Sequence, residues 1–402
     1  MWEQIRDNRI KSMILVGAMA GLLLGIGYFF GLVFFGSAAG GLIMALVIWA
    51  IMTAVAFFQG DNIFLTLSKA KKIERDDHPR LYNTVEEMKI ASGLEYMPDV
   101  YIIDDPAMNA FATGRDPKRA SVAVTSGLLQ KLNRDELQGV VGHELSHIKN
   151  RDVLLMTLCG VLLGTIVMIS WYMTRVMFLS GGRRGSGDRG GNGHVILLLI
   201  GIVLMILAPI FARLIYFSIS RKREYLADAS AAQYTRYPEG LASALEKLAG
   251  STAPLQSANQ AMAPMYITNP FRKEGMAASD LTSTHPPISE RIRILRSMAG
   301  GASYADYNNA YAKVHKDGGK LMPASALAGA EAIGLRAAGS EDTTGVPEPS
   351  KLERTREVSD LMWRQNNYQT IDCDCGTKLK VPPGFNRDKI KCPHCGRIHK
   401  IQ

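Results

Sequence analysis

The sequence predicts a mostly α-helical membrane protein: four transmembrane helices, a mixed α+β domain on one membrane face, and a small C-terminal β module. Three observations lead there. Apolar residues make up 47% of the 402 positions, but they gather in long uncharged blocks instead of spreading as in a globular chain. Basic residues flank those blocks, and the net charge is +9. Four of the five cysteines lie between Cys373 and Cys395, in two close pairs that suit a metal site. No helix carries a basic stripe interleaved with aromatics, so nucleic acid is not an expected partner.

The spans come first. No charged residue interrupts the 49 positions between Lys11 and Asp61. A crossing needs about 20 residues, so this block holds two, over residues 13–35 and 42–58, with the small residues 36–41 as the turn. The length of the run and the second span favour a retained first helix over a cleaved signal peptide. Residues 153–174 and 195–212 form the third and fourth runs, joined by the Gly-rich stretch 180–193. Arg6, Arg9 and Lys11, then Lys69, Lys71 and Lys72, then Lys149 and Arg151, and finally Arg221, Lys222 and Arg223 flank the four spans. With four crossings these flanks share one side, and the positive-inside rule makes it the cytoplasm. Arg183, Arg184 and Arg189 on the opposite side work against that orientation. No acidic or basic residue lies deep in the first three spans, which disfavours a transporter.

Between spans two and three, residues 98–104 and 120–125 read as strands. Asn133 and Glu136 form a capping box that opens a helix running through His143 and His147. Residues 225–234 and 239–248 are helical in pattern. Residues 300–370 are rich in polar and small residues and read largely as linker. The expected division is 1–60, two spans; 61–152, a cytoplasmic half-domain; 153–220, a membrane hairpin; 221–298, a helical half; 299–370, linker; and 371–402, the cysteine module.

The chemistry starts at residues 143–147, H-E-L-S-H. On a helix, His143 and His147 stand one turn apart on the same face and can hold one ion. Zinc takes imidazole nitrogens, and a catalytic zinc keeps three protein ligands and one open position. Glu144, beside that face, is placed to take a proton from water. For the third ligand, Glu224 and Asp228 are again four apart, in R-K-R-E-Y-L-A-D at 221–228. Taken alone, such a cluster is an ordinary solvated patch. Two antiparallel spans, however, return residue 224 to the membrane face that carries residues 143–147. Glu224 then completes a His-His-Glu set of the glutamate-type zincin kind, and Asp228 accepts a hydrogen bond from the far nitrogen of a ligating histidine.

Four blocks together resemble the HtpX-type integral-membrane zinc endopeptidases, relatives of the CAAX prenyl-protein proteases: N-A-F-A-T-G at 109–114, H-E-L-S-H-I-K-N-R-D at 143–152, R-K-R-E-Y-L-A-D at 221–228, and T-H-P-P-I-S-E-R at 284–291. The resemblance covers about residues 1–298. It implies zinc on His143, His147 and Glu224, with Glu144 as general base. It also implies a multi-pass inner-membrane location with the active site in the cytoplasm, and quality control of misfolded or surplus membrane proteins as the task. Residues 109–114 are expected to form an edge strand that pairs with extended substrate. His285 either donates to the oxyanion or only caps the helix that follows. Arg291 is expected to pair with an acidic residue near the zinc. A zinc-binding scaffold without catalysis and a CAAX-type processing protease are the alternatives.

At the C-terminus, Cys373-x-Cys375 and Cys392-x-x-Cys395 read as two knuckles of a small β zinc ribbon, with disulfides as the alternative. About 30 residues cannot fold on a hydrophobic core alone, so a second, structural zinc would hold them. Its closed four-sulfur set leaves no position for water, and His394 and His399 are expected to be bystanders. The sequence does not give the oligomeric state.

Overall fold

The computed structural model describes residues 2–32, 36–180, 192–251, 253–256, 262–268, 270, 285–298, 300–315, 321–322, 327, 332–339 and 348–401. Much of the Gly-rich connection after the third span, with Arg183, Arg184 and Arg189, lies outside them. So does Thr284 of the last motif.

Helices α1 (Trp2–Phe30) and α2 (Ala38–Leu67) form the N-terminal hairpin. Helix α2 begins inside the expected 36–41 turn, at Ala38, where the Ser37 side chain caps it by accepting from Gly40 N–H. The two helices touch through backbone: a Cβ added at Gly41 would stand 2.0 Å from the Gly27 carbonyl oxygen, so only glycine permits the approach. Helix α6 (Asp152–Ser180) packs against α2, and both meet α7 (Asn192–Thr235) or α1. Among the described residues, two segments are long and apolar enough to cross a membrane, Ala38–Leu67 and Asp152–Tyr172. The apolar part of α1, Val16–Phe30, is shorter. The expected fourth run falls in α7, where many side chains lie outside the description.

Helix α7 differs from expectation. The fourth apolar run and the helix at 225–234 are one 44-residue helix. Nothing between residues 213 and 224 breaks it: the stretch has no glycine or proline. A single helix thus joins the fourth apolar run, which contains Pro209, to Glu224 and Asp228.

The soluble part combines a sheet with a helical layer. Strands β1 (Lys71–Ile73), β2 (Asp99–Ile103), β3 (Ala110–Gly114) and β4 (Ala120–Thr125) lie in the order β1-β2-β4-β3, so β3 is an edge. It runs antiparallel to β4, with Phe111 opposite Ala123. Helix α3 (Pro79–Ser92), α4 (Ser126–Lys131), α5 (Arg134–Lys149) and α8 (Pro238–Ala249) cover the sheet and one another. The core runs from Ile73, Val100 and Val122 in the sheet to Leu137, Val141 and Leu145 on α5 and Leu245 on α8. Both halves of the Asn133–Glu136 capping box are made.

Residues 299–370 are not simply linker. Within them, helices α10 (Tyr304–Val314) and α11 (Lys351–Gln365) bury Tyr307, Ala310, Val358 and Leu361 in the same core as Ile294 of the preceding helix α9 (Ile288–Arg296). Composition hides this because each helix spends only a narrow stripe on the core. Capping boxes at Ser303–Asp306 and Ser350–Glu353 mark both starts. The C-terminal module consists of two hairpins, β5 (Gln369–Asp372) with β6 (Lys378–Val381), and β7 (Lys389–Lys391) with β8 (Ile398–Lys400).

Candidate metal centre

Helix α5 presents His143 and His147 on one face, their rings 5.0 Å apart at 84°. Glu224 reaches both from α7: its Oε2 is 3.5 Å from His143 Nε2, and its Oε1 is 3.5 Å from His147 Nε2. Four ligands about 2.0–2.1 Å from a tetrahedral zinc are separated by roughly 3.3 Å, so the triad has the spacing of a shared ion. The atoms that would face that ion, His143 Nε2 and Glu224 Oε2, are buried and make no hydrogen bond among the described residues. An orphaned polar pair of this kind is costly unless a ligand satisfies it, and the donor chemistry fits zinc.

Each histidine is held from behind. His143 Nδ1 lies 3.0 Å from Asp228 Oδ1, the contact expected from sequence. His147 Nδ1 lies 3.4 Å from Asp152 Oδ2. Asp152 was missed, although it ends the ten-residue motif, because nothing in a linear pattern shows that the chain doubles back to the ring. Arg291 finds its acidic partner in Asp228, with Nη2 at 2.6 Å and Nε at 2.8 Å from the two oxygens, a fork-to-carboxylate pair. Its Nη1 is 3.4 Å from Glu224 Oε2. Arg291 is fully buried, so it acts as an internal charge balance for two carboxylates.

The charges follow. Burial would raise the Glu224 carboxyl, yet His285, His143 and Arg291 outweigh it and hold it well below the ordinary range. Burial disfavours charge on His143, but the Asp228 and Glu224 carboxylates beside its ring prevail and lift it to about 9. Glu144 goes the other way. Burial raises its carboxyl, and the neighbouring histidines and the Ala112 N–H offset this in part. A carboxyl that is raised and lacks a hydrogen-bonded side-chain partner is suited to taking and giving a proton.

His285 does not cap α9, whose N-cap is Pro287. It is buried, with Nε2 4.0 Å from Glu224 Oε2. Burial lowers its pKa to about 4, and the Tyr266 backbone carbonyl accepts from its ring. Residues 109–114 do supply an edge strand, but not an empty one: Asn109 Nδ2 donates to the Thr268 carbonyl at 3.1 Å, and the Ile267 N–H donates to the Ala110 carbonyl at 3.0 Å.

The four cysteines form a separate cluster. Cys373 Sγ is 3.4 Å from Cys395 Sγ and Cys375 Sγ is 3.7 Å from Cys392 Sγ, all unbonded to one another. Thiolates about 2.3 Å from a tetrahedral zinc sit roughly 3.8 Å apart. Gly376 and Gly396 close the two knuckles with φ of 83° and 77°, which favours glycine. The Thr377 hydroxyl and amide, with His394, lower Cys375 to about 5. The set that could hold an ion comprises the four cysteines without His394.

Known proteins resemble this chain over most of its length. Residues 75–299 match Peptidase family M48, a span that ends before the cysteine module. A Protease HtpX homolog of Streptococcus uberis is 41% identical over 299 residues, covering 74% of this chain and 100% of that protein. A Protease HtpX homolog of Dictyoglomus turgidum is 45% identical over 297 residues, covering 74% and 94%. Among solved structures, Ste24p of S. mikatae is similar at 21% identity with a TM-score of 0.38, over 73% of this chain and 66% of that one. The chain belongs to peptidase family M48, among the HtpX-type zinc metalloproteases.

Proposed function

We propose that this chain is a four-span membrane endopeptidase that cuts misfolded or surplus membrane proteins at the cytoplasmic surface. One zinc sits on His143, His147 and Glu224, and a second, structural zinc on Cys373, Cys375, Cys392 and Cys395. The observation that carries the reading is the meeting of the α5 histidines with Glu224 of α7 at 3.5 Å, beside the buried Glu144 carboxylate, which no side chain hydrogen-bonds. The orientation rests on the basic flanks of the apolar runs.

When bound, zinc acts as a Lewis acid that makes water nucleophilic near neutral pH and polarises the scissile carbonyl. Glu144 takes the proton of the attacking water on one carboxylate oxygen and returns it to the leaving amine nitrogen. The Asp228–His143 and Asp152–His147 contacts keep both ring Nε2 atoms aimed at the ion. Extended substrate lies along β3, whose Ala112 N–H faces Glu144. His285 Nε2 donates to the developing oxyanion; negative charge beside the ring raises its pKa and favours the doubly protonated form.

The test is Glu144→Gln in the full-length protein. Zinc content should stay unchanged while cleavage of casein or a misfolded membrane substrate stops. Cleavage at the wild-type rate would refute Glu144 as general base.

A further inference from the structure

We infer that the segment Tyr266–Thr268 is a resident strand on the substrate-binding edge, and that substrate engages β3 fully only when Ile267 and Thr268 lift away. The inference rests on the zinc-peptidase reading above.

The register of β3 carries the argument. The Asn109 carbonyl accepts from Thr125 N–H, so it points into the sheet. Backbone groups alternate along a strand, so the Ala110 carbonyl and the Ala112 N–H point outward, where an added strand must bond. Of these two groups, the Ala112 N–H is the one that faces Glu144. The Ala110 carbonyl is already taken: Ile267 N–H donates to it at 3.0 Å, and Phe111 and Tyr266 form an antiparallel bridge. The Asn109 side chain, the other polar group at that end, is spent on the Thr268 carbonyl at 3.1 Å. The segment therefore mimics a short substrate, running antiparallel to the edge.

Its anchors divide into two sets. The Tyr266 ring is buried against Phe111, centroids 5.3 Å apart at 82°, and its carbonyl accepts from His285. Tyr266 thus fixes the start of the segment and positions His285. Beyond it, Ile267 and Thr268 are held by the two edge contacts, by Arg291 Nη1, which donates to the Ile267 carbonyl at 3.1 Å, and by the Ile267 side chain, which is buried in the main core and must leave it when the segment lifts. A bound substrate offers its own N–H and C=O to Ala110 and Asn109, so those two bonds are exchanged and not lost. Arg291 keeps Asp228 when the segment moves.

Two measurements test it. In the zinc-loaded, full-length Glu144→Gln protein, hydrogen exchange is followed with and without an unfolded casein fragment. The amides of residues 110–114 should gain protection while that of Ile267, which gives its N–H to Ala110, exchanges at least about tenfold faster, as expected when a protecting contact opens. Protection at 110–114 with Ile267 unchanged or slower would overturn the resident-strand proposal and leave the peptidase reading standing. If casein neither protects 110–114 nor is cut by the wild type, both fall. The second measurement is Ile267→Pro, which deletes the N–H given to Ala110. Tyr266 sits at φ −75°, ψ 148°, a conformation suited to the residue before proline. The expected result is a KM for an extended peptide lower by about two- to tenfold, the span of one net hydrogen bond, with kcat unchanged. A KM that stays or rises in the folded variant contradicts the proposal.

Discussion

Asp152 stands between His147 and Arg223: one carboxylate oxygen is 3.4 Å from His147 Nδ1 and the other 3.4 Å from Arg223 Nη1. Asp152 is the first residue of α6, and Arg223 directly precedes Glu224 on α7. The bases of two apolar helices are thereby joined to the ring of a metal-ligating histidine.

Asp152→Asn therefore weakens the catalytic site without removing a ligand. The substitution disturbs the tautomer and tilt of His147, and the affinity for zinc should fall about 10- to 100-fold. Chelator competition measures it, with the cysteine-bound zinc as an internal control that should not change. Equal affinity in wild type and variant would remove Asp152 from the metal site.

His285→Ala separates donor from cap. Because Pro287 and not His285 is the α9 N-cap, the variant should keep its fold and zinc while kcat drops by about 10²–10³. A loss confined to thermal stability, with kcat intact, would restore the structural role.

His78 gives the fold a pH dependence. It caps α3 by accepting Leu81 N–H on Nδ1 at 3.2 Å, and burial with the Arg80 charge lowers its pKa to about 4. The folded value lies below the unfolded value of about 6.5. Stability is thus full above 6.5 and lost as pH falls toward 4. Between pH 7 and 5 the cost is about 2 kcal/mol, softened by Glu357 at 3.7 Å. His78→Asn keeps a capping acceptor but no titration, so its Tm should change less with pH over that range. Parallel Tm curves would refute the assignment.

The legible parts of the molecule were those with a period or a cap. The four-residue spacings of His143 with His147 and of Glu224 with Asp228 placed each pair on a helix face, and Asn133 announced α5. Continuity across residues 213–224 was obscured because charged residues after an apolar run look like an interface boundary, although nothing there ends a helix. Helices α10 and α11 were hidden by polar composition, while their capping boxes stood in plain view. Asp152 and the Tyr266–Thr268 segment were illegible for a different reason. Their roles come from chain reversal and one isolated bridge, which leave no periodic trace.

The account stands or falls on one ion shared by α5 and α7. Metal analysis of the purified full-length protein and of Glu224→Ala tests this most directly. Two zinc ions per chain should fall to one, with the survivor released by thiol modification of the cysteine module. Two ions retained in Glu224→Ala would show that Glu224 does not complete the site.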